Sequence, residues 1–431
     1  MTRAALLLSV VALAAPAVAQ AELVATGVAS GALAVGPDGS PRVAYVSGDV
    51  LVLATRTPTG WTSEGVARLT GNGGLVAGIA VSPAGRIAVL AEASSGRWLV
   101  LWERLRTTSL LPRLPAGARI GRAGLALDRS GVPVVAYAEW RPSKRTFLRV
   151  VRFSRGRYRT SRVTRGGFPP SDVPPAATPV VLPNGVVRVV EAYQSGGSAA
   201  IDWMPQRRDW LGQFIYTSPL ASLVGGGIWA AASPAGVYAA WTVGFPRLGT
   251  IAVVLAHHGA PPVESELAFD DAVLAGLALD SGGRPVLAAT ALVGDGLTAA
   301  IVRDADGGTV ELDGEAAAIA SGPQVLLARD GALEWYALPP APPHVALTAS
   351  PVPGGVALAG RVSGASAGSV TLYRESPAGR VAVASAPLAP DGSFGPIDDA
   401  PGGPAFYRAV YIDPATALPS AMLLRSAVAP G

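Results

Sequence analysis

The sequence predicts an all-β protein in which a four-stranded unit repeats along most of the chain and a smaller β-sandwich follows it. Three observations lead to this prediction. The 431 residues include 52 Gly and 38 Pro, and 50% of them are hydrophobic while only 15% are charged, a composition typical of short apolar strands joined by tight turns. A hairpin pattern recurs along the chain, and the pattern changes after a Pro-rich stretch that begins at Pro339.

The first 21 residues have the pattern of a secretory signal peptide. A basic residue precedes an uncharged apolar run from Ala4 to Ala15, and Ala17, Ala19 and Ala21 form two A-x-A cleavage sites. The run is shorter than the roughly 20 residues that span a bilayer, which favours cleavage over a membrane anchor. We therefore expect residues 1–21 to be removed and the protein to be secreted, to the extracellular space or the periplasm. The chain contains no Cys, so burial and not disulfides must stabilise it.

A hairpin pattern recurs seven times. In each copy a short apolar strand meets a turn rich in Pro, Asp, Asn, Ser and Gly, and a second apolar strand follows. The clearest copies span residues 33–45, 125–137 and 277–289. Glycine suits these turns because they need positive φ. The turn glycines, spaced 39 to 54 residues apart, are Gly39, Gly85, Gly131, Gly185, Gly236, Gly283 and Gly322.

Each interval leaves room for two more strands, such as Val50 to Thr55 and Trp61 to Val66 in the first repeat. Four antiparallel strands per repeat resemble the blades of bacterial secreted β-propellers, of the sialidase-like (BNR-like) or WD40/YVTN-like type. The resemblance covers residues 22–338 and implies seven blades. Six or eight blades remain compatible because the copies at Gly185 and Gly236 are loose. An open β-solenoid is the alternative architecture.

The two ends of the repeat region predict ring closure. The last repeat has only one strand, Leu333 to Leu338, after its hairpin, whereas Leu23 to Val28 is a spare strand before the first hairpin. If the two segments pair, the spare strand completes the last blade, as in many propellers, and removes the exposed sheet edges.

The C-terminal region has a different texture. Residues 339–343 read as a semi-rigid Pro-rich linker. Residues 344–431 contain short alternating strands separated by turn signals, a pattern that resembles an immunoglobulin-like or fibronectin type III-like sandwich. The stretch from Ala405 to Tyr411 resembles the penultimate strand of such domains, and the resemblance implies that Tyr407 closes a corner of the sandwich.

No set of residues predicts catalysis, a metal or a cofactor. The three His residues, His257, His258 and His344, lack the partners of a zinc site, and we read the first two as a solvated turn pair. No G-x-S-x-G elbow is present. Asp304 and Asp306 have the spacing of a calcium-loop opening without the later ligands. The Asp-box of propeller sialidases, S-x-D-x-G-x-T-W, is also missing, so that resemblance is to the fold and not to the catalytic family.

Topology nevertheless predicts where a ligand would bind. In propellers, the loops between second and third strands and the loops between blades share the face that usually carries ligand sites. Carboxylates, Arg and aromatic side chains on that rim could hold a sugar or a peptide. The candidate ligand-binding residues are Glu92, Glu139, Trp140, Arg141, Tyr193, Gln194, Phe245, Arg247, Asp270 and Asp271.

Positive charge concentrates in the third repeat, where the segment from Arg141 to Arg165 holds ten basic residues and no acidic one. On outer strands it would form a patch that faces an anionic cell-surface polymer, or a solvated edge that discourages sheet association. Nucleic acid is disfavoured as a partner because no recognised binding motif accompanies the patch. The central residues of the patch are Arg149, Arg152, Arg155, Arg157, Arg159 and Arg162.

Three functions are compatible with these features. The leading one is a secreted, non-catalytic module that binds an extracellular protein or glycan through the rim loops, since no acid, base, nucleophile and metal converge. The second is an extracellular sialidase-like glycoside hydrolase or lyase that uses rim carboxylates, Glu92, Glu139 or Glu191 with Asp270 or Asp271. The third is binding of a polyanion by the Arg-rich repeat.

Overall fold

A computed structural model describes the chain from Glu22 to Ser426 with short gaps. Over the described residues it contains 36 strands and no helix, and so no helix that could cross a membrane. The predicted signal peptide and residues 339–342 of the linker lie outside the described residues. The residues that are not described are 1–21, 29, 72, 103–106, 112–113, 142–143, 155–156, 164–172, 195–197, 204–212, 219–221, 246–249, 260–263, 271, 295–296, 304–308, 313, 323, 339–342, 377–378, 402–404, 413, 415–418 and 427–431.

Apart from one two-residue strand, the described strands up to Ala337 form seven groups of four antiparallel strands, which we number as sheets in chain order. The first strands of the third and fourth groups also pair in parallel, which joins these two groups. A single strand, β1 (Glu22–Thr26), precedes them. The first sheet contains β2 (Gly31–Val35), β3 (Pro41–Ser47), β4 (Val50–Thr57) and β5 (Gly60–Arg68). The second contains β6 (Gly74–Val81), β7 (Ile87–Ala93), β8 (Trp98–Trp102) and β9 (Thr107–Leu110). A short strand, β10 (Arg119–Ile120), leads into the third sheet, which contains β11 (Arg122–Leu127), β12 (Pro133–Trp140), β13 (Phe147–Ser154) and β14 (Arg157–Arg162).

The remaining sheets repeat this order. The fourth contains β15 (Ala176–Val181), β16 (Val187–Gln194), β17 (Ser198–Trp203) and β18 (Gln213–Ser218). The fifth contains β19 (Ser222–Ser233), β20 (Gly236–Phe245), β21 (Thr250–Gly259) and β22 (Glu264–Asp270). The sixth contains β23 (Ala272–Leu279), β24 (Pro285–Gly294), β25 (Leu297–Arg303) and β26 (Thr309–Leu312). The seventh contains β27 (Glu315–Ala320), β28 (Gln324–Arg329), β29 (Ala332–Ala337) and, from the start of the chain, β1.

The seven sheets close into a ring. Their first strands, which we call the inner strands, contact one another in the order β2, β6, β11, β15, β19, β23 and β27, and β27 contacts β2 again. Closure is completed by β1, which pairs antiparallel with β29 and places Glu22 opposite Trp335. The fold is therefore β-propeller-like, and the first strand meets the last repeat as the spare-strand argument predicts.

Side chains reinforce this closure. Val24 is buried against Leu326, Leu333 and other apolar residues of the first and seventh sheets. The Arg56 guanidinium donates to both carboxylate oxygens of Glu22 at 2.7 and 2.6 Å. Its Cζ also lies 4.9 Å from the centre of the Trp335 ring, so one side chain of the first sheet contacts both strands of the closing pair.

The hairpin turns have the backbone that the sequence predicts. All seven turn glycines have positive φ, between 72° and 146°, where a side chain would be strained. In the sixth sheet, Asp280 accepts hydrogen bonds at one carboxylate oxygen from the backbone N–H groups of Gly282 and Arg284, at 2.8 and 2.9 Å. These bonds lower the pKa of Asp280 although burial opposes them. The Asp-Gly turns thus hold the inner strand of a sheet to its second strand.

Beyond the ring, seven strands form two further sheets around a core that includes Leu358, Leu372, Phe394 and Tyr411. The first sheet contains β30 (His344–Val352), β31 (Gly355–Ser363) and β34 (Ser393–Asp399) in that order. The second has the order β33 (Gly379–Pro387), β32 (Ser369–Ser376), β35 (Ala405–Ile412) and β36 (Pro419–Ser426). β36 also pairs with β26 at the outer edge of the sixth sheet.

Tyr407 joins these two sheets. It lies on β35, is fully buried, and donates a hydrogen bond of 2.5 Å to Asp399 at the end of β34. Asp399 in turn pairs with Arg374 of β32 at 3.2 Å. Burial and the neighbouring Asp399 carboxylate raise the pKa of Tyr407, so the phenol remains a hydrogen-bond donor across the sandwich.

The packing of β1 predicts that truncating a buried side chain of this strand will destabilise the protein more than truncating its exposed neighbour. We expect Val24→Ala to lower the free energy of unfolding by about 1 to 2 kcal/mol, because buried apolar surface is lost. Leu23→Ala is the matched control, since Leu23 is 57% exposed, and should change the stability by less than about 0.5 kcal/mol. Urea unfolding followed by Trp fluorescence measures both. Equal effects would contradict closure by β1.

Candidate functional site

Five side chains of the third sheet form a charged group, which we call the Glu139 cluster: Glu139, Arg141, Phe147, Arg149 and Arg162. It lies where β12 passes into β13, which is the end of the sheet where the sequence predicts ligand-binding loops. Strand register brings its members together, because Glu139 lies opposite Phe147 and Arg149 lies opposite Arg162.

The Glu139 carboxylate is the buried centre of the cluster, with only 7% of the residue exposed. Its Oε2 accepts hydrogen bonds from Nε and Nη2 of Arg149, at 3.1 and 2.7 Å. Nη2 of Arg141 lies 3.5 Å from Oε1. Each carboxylate oxygen is thus held by a guanidinium, in charge-assisted contacts that fix its position.

An aromatic ring and a further Arg complete the outer side of the cluster. The guanidinium of Arg162 lies over Phe147, 4.2 Å from the ring centre, whereas that of Arg149 is 6.0 Å from it. Arg162 is exposed and Phe147 half-buried. Three guanidinium groups and one carboxylate give the cluster a net charge of +2 (3 − 1).

The second sheet contributes Glu92 to the apolar layer beside this cluster. Ala88 and Leu90 of β7 and Val135 and Tyr137 of β12 pack together in that layer, and alternation along the strands directs Glu92 and Glu139 toward the same layer. Burial raises the pKa of Glu92, and a hydrogen bond from Trp98 partly offsets the effect. Burial also raises the pKa of Tyr137 to about 12. The two carboxylates therefore have different surroundings, one desolvated and one ion-paired.

The other predicted rim residues lie in strands and not in loops. Trp140, Tyr193 and Gln194 end the second strands β12 and β16 and are at most 9% exposed, because these strands extend further than the apolar runs suggested. Glu92 and Glu139 also belong to strands, β7 and β12. Phe245 and Asp270 are the last residues of β20 and β22, and nothing further is described for their side chains. Arg247 and Asp271 lie outside the described residues.

Trp140 and Tyr193 do not face the Glu139 cluster. Trp140 is on the same face of β12 as Val134 and Ala136, and Tyr193 is on the same face of β16 as Val187 and Val189. These four apolar residues pack between the third and fourth sheets. Glu191, fully buried, faces the same layer. Of the ten predicted ligand-binding residues, the structure thus brings Glu139 and Arg141 into contact and places Glu92 on the neighbouring sheet.

The predicted Arg patch is divided between the two faces of the third sheet. Arg149 and Arg162 belong to the face on which the Phe153 and Tyr158 rings meet edge to face, with centres 6.0 Å apart. Arg152 and Arg159, which are exposed and directly opposite each other, belong to the other face. Arg155 lies outside the described residues, and for Arg157 only the strand position in β14 is described. Arg149 is also neutralised by Glu139. Among the described residues of the patch, Arg162 is therefore the exposed cation on the face that it shares with Arg149.

His257 and His258 do not form the solvated turn pair that the sequence predicted. Both lie within β21, which runs to Gly259. Nδ1 of His258 lies 2.8 Å from Nη2 of Arg188, and both residues are buried. Burial and the Arg188 charge lower the pKa of His258. His257 stacks on Tyr238, with ring centres 4.5 Å apart. The strand is longer than predicted because β20 and β21 pair over their full length. In the described part of the chain, no three His, Asp or Glu residues form a group that could hold a metal ion.

Sequence reasoning missed Phe147 and Trp98. Both stand opposite predicted site carboxylates, Phe147 opposite Glu139 and Trp98 opposite Glu92. Cross-strand register supplies the signal that would have found them, because directly opposed residues are neighbours on one face. That register could be assigned only once the strand ends were known.

Comparison with known proteins gives partial matches to solved structures only. No protein-family model and no curated protein matches the chain. AofleA from Arthrobotrys oligospora has 10% identity and a TM-score of 0.43, covering 68% of this chain and 90% of its own. The SapL1 lectin in complex with alpha methyl fucoside has 13% identity and a TM-score of 0.40, with 66% and 95% covered. Aleuria aurantia lectin, described as a six-bladed beta-propeller, has 11% identity and a TM-score of 0.41, with 67% and 96% covered.

The ion pairs of Glu139 predict a stability loss when its charge is removed. We expect Glu139→Gln to lower the free energy of unfolding by about 1 to 3 kcal/mol, because two partly buried guanidinium groups lose their counter-ion. Glu64→Gln is the matched control, since Glu64 is exposed on β5, and should have no measurable effect. Denaturant unfolding of both variants tests this. A neutral outcome for Glu139→Gln would mean that the cluster does not depend on its carboxylate.

The desolvation of Glu92 predicts that removing its charge will stabilise the protein, by an amount that depends on pH. A carboxyl whose pKa is raised on folding favours the native state at low pH, and this contribution is lost as the pH rises from the ordinary value of 4.5 through the raised one. We therefore expect Glu92→Gln to be more stable than the unaltered protein at about pH 7 and to lose that advantage near about pH 4. Thermal unfolding at both pH values measures the difference. A gap that stayed constant between them would contradict the prediction.

Proposed function

We propose that this chain is an exported, non-catalytic binding protein that holds a glycan at the Glu139 cluster. One observation supports this above all others: a buried carboxylate fixes two Arg side chains beside an aromatic ring that carries an exposed Arg. Sugars are bound by planar charged groups that hydrogen-bond to hydroxyls and by aromatic faces that cover their C–H surface. The cluster offers both, on neighbouring strands of one sheet.

Pre-organisation strengthens the proposal. The Arg149 side chain is held by two hydrogen bonds from Nε and Nη2 to one carboxylate oxygen, so little rotamer entropy remains to be lost when a ligand binds. The net positive charge of the cluster favours a glycan that carries acidic groups over a neutral one. Because each oxygen of Glu139 already contacts a guanidinium, the carboxylate is better suited to position those cations than to donate a proton.

The architecture that we propose around this site is a seven-bladed β-propeller followed by an immunoglobulin-like domain. The seven closed groups of four strands support the blade number. The split of the C-terminal strands into sheets β30-β31-β34 and β33-β32-β35-β36 is the division typical of fibronectin type III-like sandwiches. Residues 1–21, as a signal peptide, would export the protein, and the sandwich would serve as a spacer or a second contact surface.

A glycoside hydrolase is the second candidate, and one observation favours it. Burial raises the pKa of Glu92, as expected of a general acid, while Glu139 on the adjacent sheet is ion-paired. Two carboxylates with opposed environments are the usual arrangement of acid and nucleophile or base. Turnover of a bound glycan that is abolished by Glu92→Gln would favour the hydrolase over the binding protein.

The two faces of the third sheet provide a matched test of the binding proposal. The ligand is the best-binding member of an array of neutral and acidic glycans, measured again by calorimetry. We expect Arg162→Ala to weaken binding by about tenfold or more, the effect of losing one charge-assisted hydrogen bond. Arg159→Ala removes the same charge from the opposite face of β14 and should leave the affinity unchanged.

Two outcomes would overturn the proposal. If no glycan of the array binds, the cluster is not a glycan site. If Arg159→Ala and Arg162→Ala weaken binding equally and the affinity falls steeply with salt, the protein binds polyanions through distributed charge. A loss that is confined to Arg162→Ala, with unchanged thermal stability, supports the Glu139 cluster as the site.

A further inference from the structure

The inner strands that surround the central opening are almost free of charge. Together β2, β6, β11, β15, β19, β23 and β27 carry two charged residues, Arg122 at the start of β11 and Glu315 at the start of β27. The other positions are mainly Ala, Gly, Val and Leu. Both charges stand at the first position of an inner strand, and this places them at the same end of the opening.

Arg122 contacts a Trp on a sheet that is not its neighbour in the ring. Its Cζ lies 4.2 Å from the ring centre of Trp229 on β19, so the guanidinium of the third sheet stacks on a ring of the fifth. The fourth sheet lies between them in the ring, with Ala176 of β15 paired to Arg122. Trp229 and Arg122 are both partly exposed, so the stacked pair remains open to solvent.

A glycine makes room for this stack. A Cβ at Gly227 would lie 2.6 Å from the Trp229 ring and 2.9 Å from Nη1 of Arg122. Any side chain there would displace the guanidinium, the indole or both. Gly227 therefore leaves this part of β19 clear for the Arg122–Trp229 pair.

Arg122 has no anionic partner in the described part of the chain. No carboxylate forms an ion pair with it there, and no acceptor receives a hydrogen bond from its N–H groups. Burial lowers the pKa of Arg122 to about 10, which leaves it a cation at neutral pH. A cation that has lost part of its hydration and has no counter-ion costs stability, and cation–π stacking offsets only part of that cost.

We propose that Arg122, stacked on Trp229, is the binding site for the carboxylate of a small organic acid in the central opening. The planar guanidinium presents parallel N–H donors that match the two oxygens of a carboxylate. Stacking fixes the plane of that fork. One cation neutralises a monoanion, whereas phosphate or sulfate would leave excess charge among apolar residues. The partly exposed Trp229 ring beside Arg122 would contact the hydrocarbon part of the acid.

Calorimetry with a panel of monocarboxylates from acetate to benzoate tests this site in the full protein. We expect benzoate to bind more tightly than acetate, and neutral benzyl alcohol and inorganic sulfate to bind at least about tenfold more weakly than benzoate. Equal binding of benzoate and benzyl alcohol, or no binding of any carboxylate, would overturn the proposal. Preference for sulfate over all carboxylates would overturn the assignment of the ligand class.

Two substitutions of Arg122 separate binding from folding. Arg122→Met keeps the length of the side chain and should abolish benzoate binding without lowering the thermal midpoint, because an uncompensated cation is removed. Arg122→Lys keeps the charge, loses the planar fork, and should weaken binding about tenfold. Arg159→Met, on the outer strand β14, is the control that should change neither. If Arg122→Met unfolds the protein, Arg122→Lys carries the test, and benzoate affinity unchanged in that variant would overturn the proposal.

This site is independent of the Glu139 cluster. Arg162→Ala should leave benzoate binding intact, and Arg122→Met should leave glycan binding intact. Failure of one proposal is therefore distinguishable from failure of the other, since each has its own ligand and its own variant.

Discussion

The apolar layers between neighbouring sheets are the interaction on which the rest of the structure depends. A sheet such as the third has apolar side chains on both faces, Val135 and Val151 on one and Val134 and Val150 on the other. Neither face can be left in water, so each sheet needs a neighbour on both sides, and only a closed ring supplies one to every sheet. Without cysteines, nothing covalent helps. The pairing of β1 with β29 is the step that gives the first and seventh sheets their second neighbour.

The charged sites occur where these layers end. Along β12 the same face that carries Val135 and Tyr137 into the core continues to Glu139, so the strand that builds the layer also delivers the carboxylate to its rim. On the inner strand β11, Arg122 directly precedes the buried Ala123, so the start of a buried strand positions this cation. The apolar core therefore fixes the positions of both groups, and neither depends on a long loop for its placement.

Local patterns predicted the repeated unit well. Turn glycines need positive φ, and apolar runs on either side need a partner strand, so the hairpins at Gly39 and Gly131 could be identified from neighbouring residues alone. Strand ends were harder, because β12 and β16 continue through Glu139, Trp140 and Tyr193, where polar or amphipathic residues suggested loops. Contacts between distant strands were beyond reach. No local signal joins Arg188 to His258 or Arg122 to Trp229, since each pair meets only after the ring has closed.

Arg149 and Arg122 show how the surroundings of a cation determine whether it stabilises the fold or is available to bind an anion. Arg149 is neutralised by a buried carboxylate of its own sheet, so its position is fixed by the protein and a ligand must add to an existing pair. Arg122 is partly desolvated against an aromatic ring and has no such carboxylate among the described residues. The folded protein bears the cost of that uncompensated charge. A bound anion would remove the cost, and its affinity would include the free energy recovered. For this reason the nearly uncharged central opening, with a single stacked cation, is a better place for a small acid than the more highly charged rim.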